Sequence, residues 1–288
     1  MEMKMWHTAH FALWGRPQLL GHTNLWYIAA LENATWYAGV QGYRGARWGK
    51  ETGPQFNREI TTNLRTTCGG GLNLIWNQPH AIFLSELEYR AASSDAERHQ
   101  VLERYADVVK ASAVFMADFA RGGRAGNVST GYHYELGPPI MSSSEHGDKL
   151  QLPIGCGAQG NPCLGWVYNP TYELTYFKYG LHVAMEWDKR RGLLPNDDFL
   201  EIYQGLDPAP TVPSPWNASQ QLYTLHAACK NLYKGQTEGC AQRSDHPGHL
   251  MAFGSFPVGF HLHSYCCTTA RWQEYFSLPR IVRSTMLV

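Results

Sequence analysis

The sequence predicts an all-α protein whose functional site lies on long loops between the helices. Apolar residues recur at helical spacing over several stretches, and proline or a capping residue stands at the start of most of them. No series of short alternating segments indicates a sheet, and no repeat unit recurs along the chain. The loops at 41–78 and 121–168 are rich in glycine and unusually long. Loops of such length are normally functional, so we expect the site there.

The predicted helices follow one another with recognisable starts. Pro17, Pro79 and Pro170 each stand at the beginning of a helical stretch, which is where proline is tolerated. Ser94 and Asp95 are typical capping residues before another. The predicted ranges are 17–40, 79–92, 95–120, 170–187 and 197–204, with further helical pieces at 219–232 and 247–254.

Charge and composition exclude several partners and cofactors. Lys plus Arg and Asp plus Glu balance at 24 each, so we expect no nucleic acid partner, which would need a basic face. No stretch reaches the roughly 18 apolar residues of a membrane span. The 7 cysteines include no paired C-x-x-C zinc spacing, although Cys156 and Cys163 could form a disulfide. No metal or organic cofactor is implied, and the oligomeric state is not indicated.

The compartment stays open at this stage. The first residues lack the basic and apolar regions of a signal peptide, which favours the cytoplasm unless a preceding segment is missing from the chain. Glycosylation sequons at Asn33, Asn127 and Asn217 support secretion only weakly, because such triplets also arise by chance.

Aromatic residues are abundant, with 10 Trp and 16 Tyr in the chain. Sugar-binding clefts use such side chains because the apolar faces of a sugar stack on a ring while its hydroxyls take polar partners. An aromatic-rich core would produce the same composition.

The loop "GYRGARWGKETGP" (42–54) is the first candidate binding element. Arg47 and Lys50 could hold hydroxyl groups or a phosphate, and Trp48 could stack on a sugar ring. A solvated loop without function is the alternative.

Three further segments carry chemistry-bearing side chains. His80 stands at the start of the helix 79–92, where Glu86 and Arg90 are spaced as an i, i+4 ion pair. Glu145 follows Gly-Pro-Pro and three serines in "LGPPIMSSSEHG". With Asn169 as helix N-cap, Glu173 would lie close to the helix start, where the backbone dipoles favour an ionised carboxylate. A satisfied histidine, a surface ion pair and solvated carboxylates are the alternatives.

The order of these segments resembles the catalytic barrel of six-hairpin glycosidases, the (α/α)6 toroid. The nearest type is glycoside hydrolase family 65, with its phosphorylases, and its uncharacterised fungal and bacterial relatives. "GYRGARW" is similar to their Gly-Ala-Arg-aromatic loop, and "QPHAIFLSELEYRA" resembles their helix with histidine at its start. "LGPPIMSSSE" looks like a stretched form of their Gly-Pro-Asp-Glu segment, and "YNPTYELTYFKYGLHVA" resembles the helix after it.

The resemblance implies a glycoside hydrolase that inverts, with α-linked bonds as the expected substrate. It implies Glu145 as the general acid, although Pro139 to Ser144 separate it from Gly-Pro, so Glu173 stays the alternative. It also implies a set of substrate-binding residues: Arg47, Trp48, Lys50, Trp76, His80, Glu86 and Asn169. The partner would be an oligosaccharide or another glycoside.

The resemblance covers 1–260 as a partial barrel and leaves 261–288 as an atypical tail. The predicted helices are fewer than a complete six-hairpin ring needs, so we expect the toroid to be incomplete at its C-terminus. The part that carries the catalytic base or the phosphate loop would then be missing. A disaccharide phosphorylase, a non-catalytic carbohydrate-binding protein and an inactive fragment with exposed apolar helix faces stay as alternatives.

Overall fold

The structure is a computed structural model, and it describes residues 2–50, 52, 74–122, 125–127, 131–137, 140, 143, 169–206, 216–217 and 222–223. Within these residues the protein is predominantly helical, which confirms the all-α prediction at this level. The helices are α1 (Glu2–Thr8), α2 (His10–Leu13), α3 (Pro17–Val40), α4 (His80–Ala91), α5 (Asp95–Gly122), α6 (Thr171–Arg190) and α7 (Asp197–Gly205). The proposed boundary at 260, the tail 261–288 and all seven cysteines lie outside the described residues.

Two short antiparallel ribbons accompany the helices. β1 (Ala125–Asn127) pairs with β2 (Gly131–His133), and β3 (Trp216–Asn217) pairs with β4 (Leu222–Tyr223). The second ribbon corrects the helix predicted over 219–232. Aromatic residues favour extended backbone and cross-strand pairs, and Trp216 lies opposite Tyr223. The rest of 219–232 and all of 247–254 lie outside the described residues.

The helix predictions for 17–40, 79–92, 95–120, 170–187 and 197–204 are confirmed to within a few residues. Helix α3 begins with proline at its first position, which needs no backbone N–H there. Helix α7 begins after Asn196, whose side-chain oxygen accepts hydrogen bonds from the N–H groups of Asp198 and Phe199. The short helices α1 and α2 were not predicted, because they contain too few residues to show a helical spacing of apolar side chains.

Helices α4 and α6 form the interior, and α3, α5 and α7 pack around them. Side chains are buried on all sides of α4 from His80 to Glu86 and of α6 from Thr171 to Phe177. Helices α4 and α6 contact each other, and α5 packs against both. Helix α3 packs against α4 and α5, and α7 packs against α5 and α6. Each surrounding helix keeps one face toward solvent.

The two interior helices run parallel. His80, the first residue of α4, contacts Tyr176 in the second turn of α6, and Glu86 further along α4 contacts Trp187 near the end of α6. Their N-terminal ends therefore lie together. The long connections 41–79 and 123–170 lead into this end, while the short connections 92–94 and 191–196 leave the other.

Candidate active site

The loop after α3 is clamped onto α5 rather than extended into solvent. Gly45 has a φ of 78°, and a Cβ atom placed there would lie 2.3 Å from the backbone nitrogen of Phe115. The adjacent Ala46 donates its N–H to the carbonyl of Ala111 at 2.9 Å. Arg44 binds Asp118 of α5 through its backbone N–H and its guanidinium. Glycine is required where the two backbones approach so closely.

Arg47 and Trp48 are part of this clamp. The Arg47 guanidinium is buried, donates to the side-chain oxygen of Gln41 and stacks on the rings of Tyr37 and Phe115. The Trp48 side chain is 2% exposed, and its indole N–H donates to Ser112.

The Trp48 ring lies against Trp26 and Tyr27, so neither of its faces reaches solvent. In this conformation the ring therefore acts as a core side chain and not as the sugar platform that the sequence suggested. Lys50 follows at the end of the described loop and is half-buried.

The loop is also tied to the segment that precedes α4. The backbone carbonyl of Trp48 accepts hydrogen bonds from the side-chain amides of Asn77 at 2.9 Å and Gln78 at 2.7 Å. The backbone N–H of Trp48 donates to the amide oxygen of Gln78 at 2.8 Å. These amides hold the loop at the N-terminal end of the interior helices.

Aromatic and polar side chains form a wall at that end, which we call the aromatic wall: Trp76, His80, Tyr172 and Tyr176. The Trp76 ring lies 5.4 Å from the His80 ring and 6.2 Å from the Tyr172 ring. The Tyr176 ring lies 5.3 Å from Tyr172 and 5.4 Å from His80. The wall joins α6 to α4 and to the residues just before it.

His80 is a neutral imidazole with a defined partner. Its Nδ1 lies 2.8 Å from the Tyr176 hydroxyl, which itself donates to the sulfur of Met5 at 3.9 Å. When the hydroxyl donates to Met5, it accepts a hydrogen bond from the Nδ1–H tautomer of His80, and Nε2 keeps its lone pair. Burial lowers the pKa of His80 well below its usual value.

In the aromatic wall, Nε1 of Trp76 and Nε2 of His80 are buried and make no hydrogen bond to any described residue. Leaving a buried polar group unpaired costs roughly 1–3 kcal/mol, so such groups usually serve water or a ligand. With His80 as the Nδ1–H tautomer, the Trp76 N–H is a donor and His80 Nε2 an acceptor for such a ligand.

Glu173 lies in the first turn of α6, immediately after Tyr172 of the aromatic wall. Its side chain is 0% exposed, and Oε1 accepts a hydrogen bond from the backbone N–H of Ser143. Burial raises the pKa of Glu173 to about 8, while the N–H groups of Ser143 and of Glu173 itself oppose that shift. Oε2 has no hydrogen-bond partner among the described residues.

The raised pKa corrects the expectation that the helix dipole would keep Glu173 ionised. The dipole at a helix start is worth about 1 kcal/mol, whereas full removal of a carboxylate from water costs several. Burial therefore favours the protonated form of Glu173 at neutral pH.

Asn169 positions the loop that passes Glu173. The helix N-cap position belongs to Pro170, and the Asn169 side chain makes no cap, which corrects the predicted role. Instead, the side-chain oxygen of Asn169 accepts a hydrogen bond from the backbone N–H of Leu136 at 2.7 Å. The backbone N–H of Asn169 donates to the Leu136 carbonyl at 2.9 Å. Asn169 adopts a φ of 44°, a left-handed conformation that asparagine tolerates better than most residues.

Glu86 lies away from the aromatic wall, in a saturated network. Its oxygens accept hydrogen bonds from the Trp187 indole at 2.8 Å, from Arg190 at 2.6 Å and 3.1 Å, and from Arg90 at 2.7 Å. The predicted i, i+4 pair with Arg90 is confirmed, but it belongs to a buried hub and not to a surface pair. These contacts leave Glu86 little capacity for a substrate hydroxyl.

Of the predicted site residues, the structure brings Trp76, His80, Asn169 and Glu173 to one end of the interior helices. Glu145 lies outside the described residues. The sequence analysis did not assign Tyr172, Tyr176 or Ser143 to the site. The spacing of Tyr172 and Tyr176 by four residues, on the helix that also carries Glu173, was the signal that could have found them.

The part of the chain that the structure describes contains no group of three or more His, Cys, Asp or Glu side chains arranged to hold a metal ion. In the same part, no helix combines the length and the apolar character needed to cross a bilayer. Comparison of the sequence with models of known protein families and with curated proteins found no match.

Proposed function

We propose that the chain is a glycoside hydrolase in which a buried, protonated carboxyl takes part in cleaving α-linked glycosidic bonds. The observation that carries this proposal is the complete burial of Glu173 at the N-terminal end of the interior helices, with Oε2 unpaired among the described residues. This burial raises the pKa of Glu173 to about 8. General acids in glycosidases need a carboxyl that keeps its proton near neutral pH, and a dry site achieves this.

The aromatic wall next to Glu173 suits an uncharged sugar. A sugar hydroxyl both donates and accepts, so it can pair with the Trp76 N–H and with the lone pair of His80 Nε2. Neither group carries a charge at neutral pH, because burial keeps His80 neutral.

The second carboxyl that inversion needs is Glu145 in this proposal. Paired carboxyls of inverting enzymes lie about 6.5–9.5 Å apart. Ser143 donates its N–H to Glu173, and covalent geometry keeps the Cα of Glu145 within about 7 Å of the Cα of Ser143. One carboxyl would protonate the leaving oxygen as its bond to the anomeric carbon breaks. The other would take a proton from the water that attacks the opposite face.

The resemblance assigns the acid role to Glu145, whereas burial favours Glu173 as the protonated member. We propose that the two residues form the catalytic pair. The kinetic comparison below distinguishes which of them is the acid.

We also propose that the helices belong to an (α/α)6 ring. The alternation of interior helices α4 and α6 with surrounding helices α3, α5 and α7 supports this architecture. So does the alternation of long and short connections, because each long one ends at the start of an interior helix.

The test compares α-linked glucose disaccharides with α-glucosyl fluoride as substrates for the wild type, Glu173→Gln and Glu145→Gln. Fluoride leaves without a proton, so loss of the acid slows only the disaccharide reaction, by about 10²–10⁴-fold. Loss of the base slows both reactions. Glu88→Gln is the matched control, because burial also raises the pKa of Glu88 but Asn24 and Arg104 bind its oxygens.

The outcomes separate the alternatives. Turnover that depends on added phosphate would move the proposal to a phosphorylase. A sugar that raises the melting temperature without any turnover, in the wild type and in both variants, would indicate a binding protein. Wild-type activity that both glutamine variants retain would overturn the assignment of the carboxyl pair.

A further inference from the structure

A chain of hydrogen bonds links His80 of the aromatic wall to helix α1. His80 Nδ1 lies 2.8 Å from the Tyr176 hydroxyl, and this hydroxyl donates to the sulfur of Met5 at 3.9 Å. The three side chains come from α4, α6 and α1, and Met5, the most exposed of them, is 3% exposed. Bulk water therefore does not compete for these groups. The proposed mechanism uses His80 but gives Tyr176 and Met5 no role.

The direction of the hydrogen bonds in this chain is linked to the tautomer of His80. A neutral imidazole carries a proton on one ring nitrogen and a lone pair on the other. A Tyr176 hydroxyl that donates its single proton to Met5 cannot also donate it to His80, so it accepts a hydrogen bond from Nδ1–H. A hydroxyl turned toward Nδ1 would donate to it, and the proton of His80 would then lie on Nε2. The acceptor at Met5 distinguishes the two arrangements.

The two tautomers present different chemistry to a ligand at the aromatic wall. Nε2 of His80 and Nε1 of Trp76 are buried without a partner among the described residues, and the centroids of the two rings are 5.4 Å apart. With the Nδ1–H tautomer the two atoms are an acceptor and a donor, which suits a hydroxyl group because it both donates and accepts. With the Nε2–H tautomer both are donors, which suits a ligand that only accepts, such as a phosphate oxygen.

We propose that Met5 and Tyr176 are positioning residues that hold His80 as the Nδ1–H tautomer, so that Nε2 accepts a hydrogen bond from a hydroxyl group of an uncharged ligand. A thioether is a weak acceptor, but here it has only to hold one proton away from Nδ1 in a site without bulk water. An aliphatic side chain of similar size could not do so. The identity of the ligand as a sugar rests on the proposed function, whereas the tautomer of His80 does not.

The first test determines the tautomer by NMR in the full 288-residue chain with isotope-labelled histidine. Proton–nitrogen correlation spectra distinguish a protonated ring nitrogen from an unprotonated one, and the signals that are missing in His80→Gln are those of His80. The wild type should show Nδ1–H. Met5→Leu removes the sulfur and keeps the volume, so Tyr176 should turn to donate to Nδ1 and the proton should move to Nε2.

Met116→Leu is the matched control, because Met116 is also buried and contacts α6, but it lies at Gly180. It should leave the tautomer unchanged. If Met5→Leu fails to fold, Tyr176→Phe replaces it, since this variant keeps the ring and removes only the hydroxyl. The His80 signals should then be averages of the two tautomers.

The second test compares the binding of glucose with that of analogues in which fluorine replaces one hydroxyl at a time, measured by calorimetry. Fluorine cannot donate a hydrogen bond. One analogue should bind the wild type and Met116→Leu about ten- to hundred-fold more weakly than glucose, because Nε2 is left without a donor. Met5→Leu should lose this discrimination.

The outcomes separate this inference from the proposed function. An Nε2–H tautomer in the wild type would overturn the inference, and so would a tautomer that neither Met5→Leu nor Tyr176→Phe changes. Equal binding of glucose and of every analogue by the wild type would overturn the role of Nε2 as acceptor for a hydroxyl. A wild type that shows Nδ1–H, responds to Met5→Leu and binds no sugar would support the positioning role and contradict the proposed function.

Discussion

Glu173 should make the stability of the protein depend on pH in a way that one substitution removes. Its pKa rises from 4.5 to about 8 on folding, because the carboxylate loses its water. A carboxyl whose pKa is raised in the folded state contributes full stability below its unfolded pKa. That contribution is lost as the pH rises through the folded value. The window is therefore pH 4.5 to about 8.

The expected magnitude follows from linkage. Each pH unit inside the window lowers the free energy of unfolding by about 1.4 kcal/mol. Raising the pH from about 5 to about 7 should therefore cost the wild type about 3 kcal/mol relative to Glu173→Gln, which has no proton to lose. This difference is large enough to see beside a total stability of about 5–15 kcal/mol.

The assay is denaturant unfolding followed by far-UV circular dichroism, at a series of pH values from about 5 to about 9, for the wild type and for Glu173→Gln. His80 works in the opposite direction, because the unfolded histidine takes up a proton below pH about 6.5 that the buried one refuses. Both proteins contain His80, so its contribution cancels in the difference between them. A difference that does not change with pH would refute the burial of Glu173 as a neutral acid.

Three further predictions concern the clamp and the buried hub. Gly45→Ala should lower the free energy of unfolding by more than about 3 kcal/mol in thermal or urea unfolding, because the new Cβ would meet the backbone of α5. Gly42 has a similar positive φ but open space around it, so Gly42→Ala should cost only about 1 kcal/mol. Glu86→Gln should lower the free energy of unfolding by about 3–5 kcal/mol, because Arg90 and Arg190 lose their buried partner. Glu103→Gln removes an exposed ion pair and should cost less than about 1 kcal/mol. Equal losses of stability in the two variants would contradict the role of Glu86 as a buried hub. Trp48→Phe should lower the free energy of unfolding by about 1–3 kcal/mol, because the indole hydrogen bond and part of the ring packing are lost. The affinity for a sugar, measured by calorimetry, should not change. Weaker sugar binding by a fully folded variant would show that Trp48 contacts the sugar.

The sequence alone was sufficient for the long helices. Proline at position 17 and apolar residues at helical spacing after it are local signals, and a helix is a local structure. It was not sufficient for the ribbon of Trp216–Asn217 with Leu222–Tyr223, because a strand exists only with its partner.

For the candidate site, the local sequence pattern indicated which side chains could take part, and the tertiary structure determined their burial. The sequence marked His80 and Glu173 as residues near helix starts with chemically useful side chains. Only the packing of the helices places α4 and α6 side by side in the interior. This packing removes the side chains of His80 and Glu173 from water. Burial is the largest cause of both the raised pKa of Glu173 and the lowered pKa of His80.

The aromatic loop shows the limit most clearly. Its composition, with Arg47 and Trp48 among glycines, is equally typical of a binding loop and of a clamp, because both need rings, cations and backbone freedom. The close approach of Gly45 to α5 and the burial of the Trp48 ring in the core distinguish the two. Residue types and their spacing thus determined the helices and the chemical groups of this protein. Which groups face each other, and which lose contact with water, depended on residues distant in sequence and was decided by the tertiary structure.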